Sequence, residues 1–193
     1  RGDFDQWIRD GLALSEIPVE TVCVFRDEPL PSPKSVSAVV VTGSSAMVSE
    51  RDGWSERTAA WLADAVASGT WILGICFGHQ LLAHSLGGRV GPNPRGRQIG
   101  TIALQLHAEG DALLGGLPEE IVVQATHMEV VLEFPKAAIG LGKNAMDPNA
   151  AFRVGERVWG VQFHPEFDAD IMRAYIRGRG ERIAEEGGDP VAL

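Results

Sequence analysis

The chain has 193 residues, 45% of them hydrophobic, and a formal net charge of −9, with a pI near 5.0 and a mean hydropathy near zero. This length suits one domain, residues 1–193, with a proper core, and the acidic balance argues against a nucleic-acid partner or an anionic membrane surface. No apolar run approaches the ~18 residues of a transmembrane helix, and no secretory leader is visible. Two cysteines, Cys23 and Cys76, lie far apart and offer neither a disulfide framework nor a paired metal spacing. That pattern points to a reducing, cytoplasmic setting.

In chain order, strands are expected at Val19–Phe25, Val36–Thr42, Thr70–Ile75, Ile99–Leu106, Ile121–Thr126, Ala151–Val154 and Val158–His164. A helix fits Trp54–Ser68, with Trp54, Thr58, Trp61, Leu62, Ala65 and Val66 on one face before Gly69 stops it. A second fits Gly78–Leu86, closed by Gly87 and Gly88, and a third fits Asp168–Arg177 with Asp168 as its cap. Continuous apolar strands alternating with helices in the first half imply a mostly parallel α/β sheet covered on both faces. The strand-rich second half reads as an antiparallel edge. Arg173–Arg182, interrupted by glycines and followed by acids, reads as a solvated helix end.

Cys76 falls between the strand TWILGI and the helix GHQLLAHSL, in the position of a nucleophile elbow with thiol in place of hydroxyl. The start of the helix favours the thiolate. Gly74 and Gly78 permit the tight turn. The N–H of Phe77 can point at an oxyanion on a carbon bonded to sulfur. The competing reading is a small buried hydrophobe at a strand end, and Cys23, inside VETVCVF, is read as a core residue.

GVQFHPEF supplies His164 and Glu166 as a strand ends. In extended chain, positions i and i+2 face the same way, and Pro165 holds His164 extended. The carboxylate can then fix one ring nitrogen as N–H and leave the other facing the thiol. Alone, the same residues make an ordinary strand-end turn. The loop VVVTGSSAMV ends another buried strand and leaves the backbone N–H groups around Gly43 and Ser44 free.

Together these segments resemble the triad-type (class I) glutamine amidotransferase family, in particular stand-alone members similar to the glutaminase domain of GMP synthetase. Gly74, Cys76, Gly78 and Gln80 match its G-x-C-x-G-x-Q motif, and His164, Pro165 and Glu166 its HPE motif. Gly87–Gly100 and Ala125–Val130 resemble further segments, so the likeness runs from about Val36 to Phe167.

The resemblance implies a flavodoxin-like fold and no cofactor or metal. It implies a glutaminase in which Cys76 is the nucleophile, His164 the acid and base, and Glu166 its orienting carboxylate. Phe77 and Ser44, with Gly43, would supply oxyanion N–H groups, and Gln80 with Thr126, His127 and Met128 would hold the amino-acid end of the substrate. The family's second oxyanion-loop glycine is Ser44 here. Its opening strand is missing before Arg1, consistent with a trimmed start. No Ser-Gly-Gly-Val-Asp-Ser phosphate loop is present, so an ATP-using half lies outside this chain and a separate ammonia-accepting synthetase is the implied partner.

Other readings differ in class. A dienelactone-type hydrolase would order its triad nucleophile, acid, histidine, against the order here. A metal site from Cys76, His79 and His84 conflicts with the motif positions of the first two. A non-enzymatic binding module explains the strands but not the three reactive residues. A γ-glutamyl peptidase or transferase would share the thioester chemistry, and no single residue separates it from an amidotransferase.

Overall fold

A buried strand needs a neighbour on each side, and the order of strands decides which apolar runs find one. The computed structural model describes residues 3–13 and 17–191. Its strands are β1 (Ala38–Val41), β2 (Trp71–Ile75), β3 (Arg89–Pro92), β4 (Gln98–Leu106), β5 (Glu120–His127), β6 (Glu129–Glu133), β7 (Ala138–Lys143), β8 (Ala151–Val154) and β9 (Val158–Val161). The helices are α1 (Phe4–Leu12), α2 (Gly53–Ala67), α3 (Phe77–Ser85), α4 (Ala169–Gly178) and α5 (Gly180–Glu185). The main sheet runs β1-β2-β9-β8-β7-β4-β5, and β3 pairs with β6 apart from it.

Parallel pairing joins β1 to β2 and β2 to β9. From β9 outward every pairing is antiparallel, so the antiparallel share expected at one edge runs through four strands. Side chains alternate across the sheet. Ile72, Phe152 and Val158 face α2 and α3, whose Leu62, Leu81 and Leu82 are wholly buried. Ile75, Trp159 and Val161 face the other way, with Ile8 of α1. Each fully buried aliphatic side chain contributes roughly 1.5–3 kcal/mol. The α/β fold with helices on both faces is therefore the one its apolar periodicity implied.

Val19–Phe25 is not a strand. Residues Val24–Arg26 form a 3₁₀ turn, the amide of Cys23 donates to Glu28 at 2.7 Å, and Phe25 is 61% exposed. The segment that follows lies over α2, where the Trp61 indole donates to the Pro31 carbonyl at 2.6 Å. β-branched content sets strand propensity, but a strand needs a paired neighbour, and this run pairs with no strand among the described residues. Cys23 is half-buried and outside the core clusters, not a core residue as its neighbours suggested.

The glycines flanking Cys76 are where backbone meets backbone. A Cβ on Gly78 would lie 2.2 Å from the Val41 carbonyl oxygen at the end of β1, and one on Gly74 would lie 2.4 Å from the Gly78 carbonyl oxygen. Neither contact can be relieved by a rotamer. Gly78→Ala is expected to lower stability by about 3 kcal/mol, the upper end of overpacking costs, read as a shifted urea midpoint. Gly11→Ala meets nothing within 4 Å in α1 and should be neutral or stabilising by up to ~1 kcal/mol.

Candidate active site

Cys76 stands between β2 and α3 with φ 52° and ψ −105°, a backbone conformation that a non-glycine residue rarely adopts. Two backbone bonds hold it there: its own N–H donates to Val161 at 2.9 Å, and its carbonyl accepts from Gln80 at 3.1 Å. The side chain is 5% exposed, and Sγ lies 3.8 Å from the Thr126 carbonyl oxygen. Phe77 opens the helix, and its amide has no acceptor among the described residues. Such a turn projects the sulfur off the strand tip and leaves helix-start N–H groups beside it.

His164 follows the end of β9 and is tied to β5, its amide donating to Gln124 at 2.8 Å. Its Nδ1 meets Glu166 Oε1 at 2.7 Å, with both side chains almost wholly buried. The structure thus brings together the two residues that the extended HPE stretch aligned. Burial alone would lower the imidazole pKa; the Cys76 sulfur and Glu166 outweigh it and push it up to about 9. Nε2 is buried without a hydrogen-bond partner. The sulfur raises the ring's pKa both by its charge and by approaching it as a hydrogen-bond partner.

Phe4 is a residue that motif reasoning missed. Its ring stacks on His164 at 5.8 Å between centroids, Phe167 stacks on the imidazole at 4.1 Å, and Tyr175 closes the cluster. A Cβ on Gly43 would fall 2.9 Å from both Phe4 Cε1 and His164 Cε1. The first helix thus braces the imidazole and the Gly43–Ser44 loop together. Its signal was in the sequence, since Asp3 caps a helix carrying Phe4, Trp7 and Ile8 at helical spacing.

A cavity of about 610 Å³ opens over Cys76. Ser44–Met47, Phe77, Gln80 and the Thr126–Glu129 loop form its inner wall. Gly43 is buried behind this wall, while the half-buried Ser44 lines it with an amide that has no acceptor among the described residues.

Gln80 and His127 reach the wall but are bonded behind it. Gln80 Nε2 donates to the Glu129 carbonyl at 2.7 Å and to Gln162 at 3.0 Å. The two ring nitrogens of His127 lie 3.1 Å from the Glu129 carbonyl and 3.1 Å from Gln98. Burial drives the His127 pKa down to about 4, keeping it neutral. His79 is fully buried beneath Gly160 and Phe152, its pKa lowered to about 3, and it points away from the chemistry.

Glu129 was not anticipated. It is 3% exposed, and its Oε1 has no partner while Oε2 accepts from the Ser49 amide at 3.3 Å. A buried carboxylate oxygen left open beside a cavity suits a cationic group. Only its place after the ATHM run could have suggested it.

The arginine-rich stretch is exposed at the end of α4 and in α5, as expected for Arg173, Arg177 and Arg182, and residues Arg177–Arg182 in addition border the outer part of the same cavity.

The sequence and the fold have counterparts among known proteins. The family described as glutamine amidotransferase class-I matches residues 3–177. A GMP synthase [glutamine-hydrolyzing] of Aeropyrum pernix is 36% identical over 159 residues, covering 82% of this chain and 29% of that protein. The chain spans less than a third of the length of the GMP synthases it resembles. Among solved structures, a glutamine amidotransferase from Thermotoga maritima superposes with a TM-score of 0.83 at 22% identity, covering 96% of this chain and 81% of that one. Another, from Methylobacillus flagellatus, gives 0.80 at 26% identity, covering 94% and 72%. With its sequence matched along nearly all its length and its fold shared, the chain belongs to the class-I glutamine amidotransferase family.

Proposed function

We propose that the protein releases ammonia from the side-chain amide of glutamine through a γ-glutamyl thioester on Cys76. The observation that carries this reading is the strained Cys76 turn sharing one buried centre with the His164–Glu166 pair. Attack of the sulfur on the amide carbon forms the C–S bond and puts negative charge on oxygen. The amides of Phe77 and Ser44 stabilise that charge. His164, cationic at neutral pH with its pKa near 9, gives a proton to the departing nitrogen, and the C–N bond breaks. Neutral imidazole then takes a proton from water as it attacks the thioester, releasing glutamate and restoring the starting state.

Glu166 keeps Nδ1 protonated and the ring oriented. Glu129 Oε1 receives the substrate's α-ammonium, and the Thr126–Met128 backbone borders it. The GMP synthases that resemble the chain are named for glutamine hydrolysis. A separate synthetase, docked over the Cys76 mouth, is accordingly the proposed consumer of the ammonia.

A glutamine-shaped electrophile should add once per chain, at Cys76, and abolish turnover. Mass spectrometry that located the adduct on Cys23 would sink the reading. His164→Ala should cost about 10²–10⁴-fold in turnover, whereas Glu166→Gln should cost less, because an amide oxygen can still accept from Nδ1. Glu166→Gln also removes one of the influences that raise the imidazole. NMR titration should find the His164 pKa moved down from about 9, with the Cys76 sulfur still holding it raised, so that the ring loses its proton at somewhat lower pH. An unchanged pKa would mean that Glu166 is not the orienting partner.

Ser44→Pro deletes one proposed oxyanion donor and should lower turnover by about 10²–10³-fold, with folding checked by circular dichroism. Near-normal turnover would assign the donor to another amide.

A further inference from the structure

A free amino acid carries an ammonium and a carboxylate on one carbon, and a cavity that holds it needs a group for each. For the ammonium there is the open Oε1 of Glu129. Beside it, Arg97 lines the same cavity and reaches the substrate loop, its Nη2 lying 2.9 Å from Met128 Sδ. The Arg97 side chain is only 10% exposed, so its charge is held in place. A thioether is a weak acceptor and does not satisfy a buried guanidinium.

The group that does satisfy it comes from the C-terminal turn. Glu186, the residue closing α5, meets Arg97 in a fork, Nε to Oε2 at 2.6 Å and Nη2 to Oε1 at 2.9 Å. The bonds from Arg97 hold the Glu186 carboxyl below its usual pKa, so the pair is charged at neutral pH. Two parallel N–H···O bonds are also how an arginine takes the carboxylate of a ligand. In the free protein, therefore, a carboxylate of the chain itself stands on the cavity's buried cation.

Two features make this contact exchangeable. Glu186 is one-third exposed and has Arg182 3.5 Å away on the same helix, so a carboxylate leaving Arg97 keeps a cation beside it. The helix is anchored separately, through Ile183 in the cluster of Ile99, Phe167, Met172 and Ile176. Arg97 has no such freedom. A guanidinium this buried is costly to leave unpaired, so whatever displaces Glu186 must bring a carboxylate of its own.

We propose that Glu186 is a built-in competitor of the substrate: it occupies on Arg97 the place of the α-carboxylate, and glutamine binds by displacing it. The proposal rests on the reading of glutamine as the substrate. No covalent bond changes in this step, since one carboxylate replaces another on the same fork. Apparent affinity is lowered according to the share of molecules in which Glu186 stands on Arg97. A group that pulls the C-terminal turn away would raise affinity without touching Cys76, His164 or Glu166.

Calorimetry on the Cys76→Ala chain tests this without turnover. Adding Glu186→Gln should tighten glutamine binding about fivefold, the scale of a partly exposed ion pair that no longer has to be broken. Binding of 4-aminobutanamide, which keeps the amide and the ammonium but lacks the carboxylate, should show no such gain. Glu185→Gln removes the same charge from an exposed neighbour that has no partner among the described residues, and it should leave glutamine binding as it was. On an Arg97→Ala background the Glu186 change should have no effect. Unchanged or weaker glutamine binding in Glu186→Gln would overturn the proposal, because the carboxylate would then support Arg97 rather than compete at it. So would an equal gain for both compounds. Failure of the parent chain to form an acyl-enzyme with glutamine, read by quenched mass spectrometry, would instead sink the thioester reading, and the binding comparison does not depend on it.

Discussion

The contact on which the site depends is the one between Gly78 and the end of β1. With Val41's carbonyl 2.2 Å from where a Cβ would stand, and Gly74 against Gly78's carbonyl at 2.4 Å, α3 starts directly on the sheet. No room is left for a gradual turn from β2 into α3. The chain reverses in one residue, and Cys76 takes the strained backbone with φ 52°. A conformation of this kind costs of order 1–3 kcal/mol. It persists because β9 receives the Cys76 amide and α3 bonds its carbonyl, while the leucines of α3 fix the helix from behind. Strain at the sulfur and burial on the opposite sheet face are thus two ends of one arrangement.

His164 is held by a different logic, through charge and ring stacking. A cationic imidazole in so buried a setting needs compensation, and Glu166 and the Cys76 sulfur supply it. Phe167 and Phe4 then restrict the ring to one plane. Because Phe4 also abuts Gly43, the position of His164 and that of the Gly43–Ser44 loop are not independent. Displacing α1 would disturb both.

Local chemistry made the central residues legible. The elbow was readable because glycine spacing, an apolar strand and a helix start are all near Cys76 in sequence. The relation of His164 to Glu166 was readable because two-residue spacing and a proline act locally. What failed was non-local. Val19–Phe25 has strand composition but pairs with no strand among the described residues, a fact about topology. Glu129 shows nothing in sequence of its unpaired oxygen. Arg177–Arg182 carry exposed arginines as expected, but no pattern reveals that they also border a cavity beside β2, β5 and the loop after β1. The helix of Phe4 was written in the sequence, but its role could be seen only once His164 stood beside it.

The two ends of the cavity differ in how their polar groups are spent. Toward Cys76, the side chains of Gln80, His127, Gln98 and Gln162 bond to one another and to the backbone of Glu129. Such a network is held in place by its own bonds. At the outer end, long arginines share too few carboxylates, and Arg177 has none. Those groups retain capacity for a ligand and can adjust to its length. The inner end is thus spent on its own framework, and the outer end keeps cationic groups that the fold does not use.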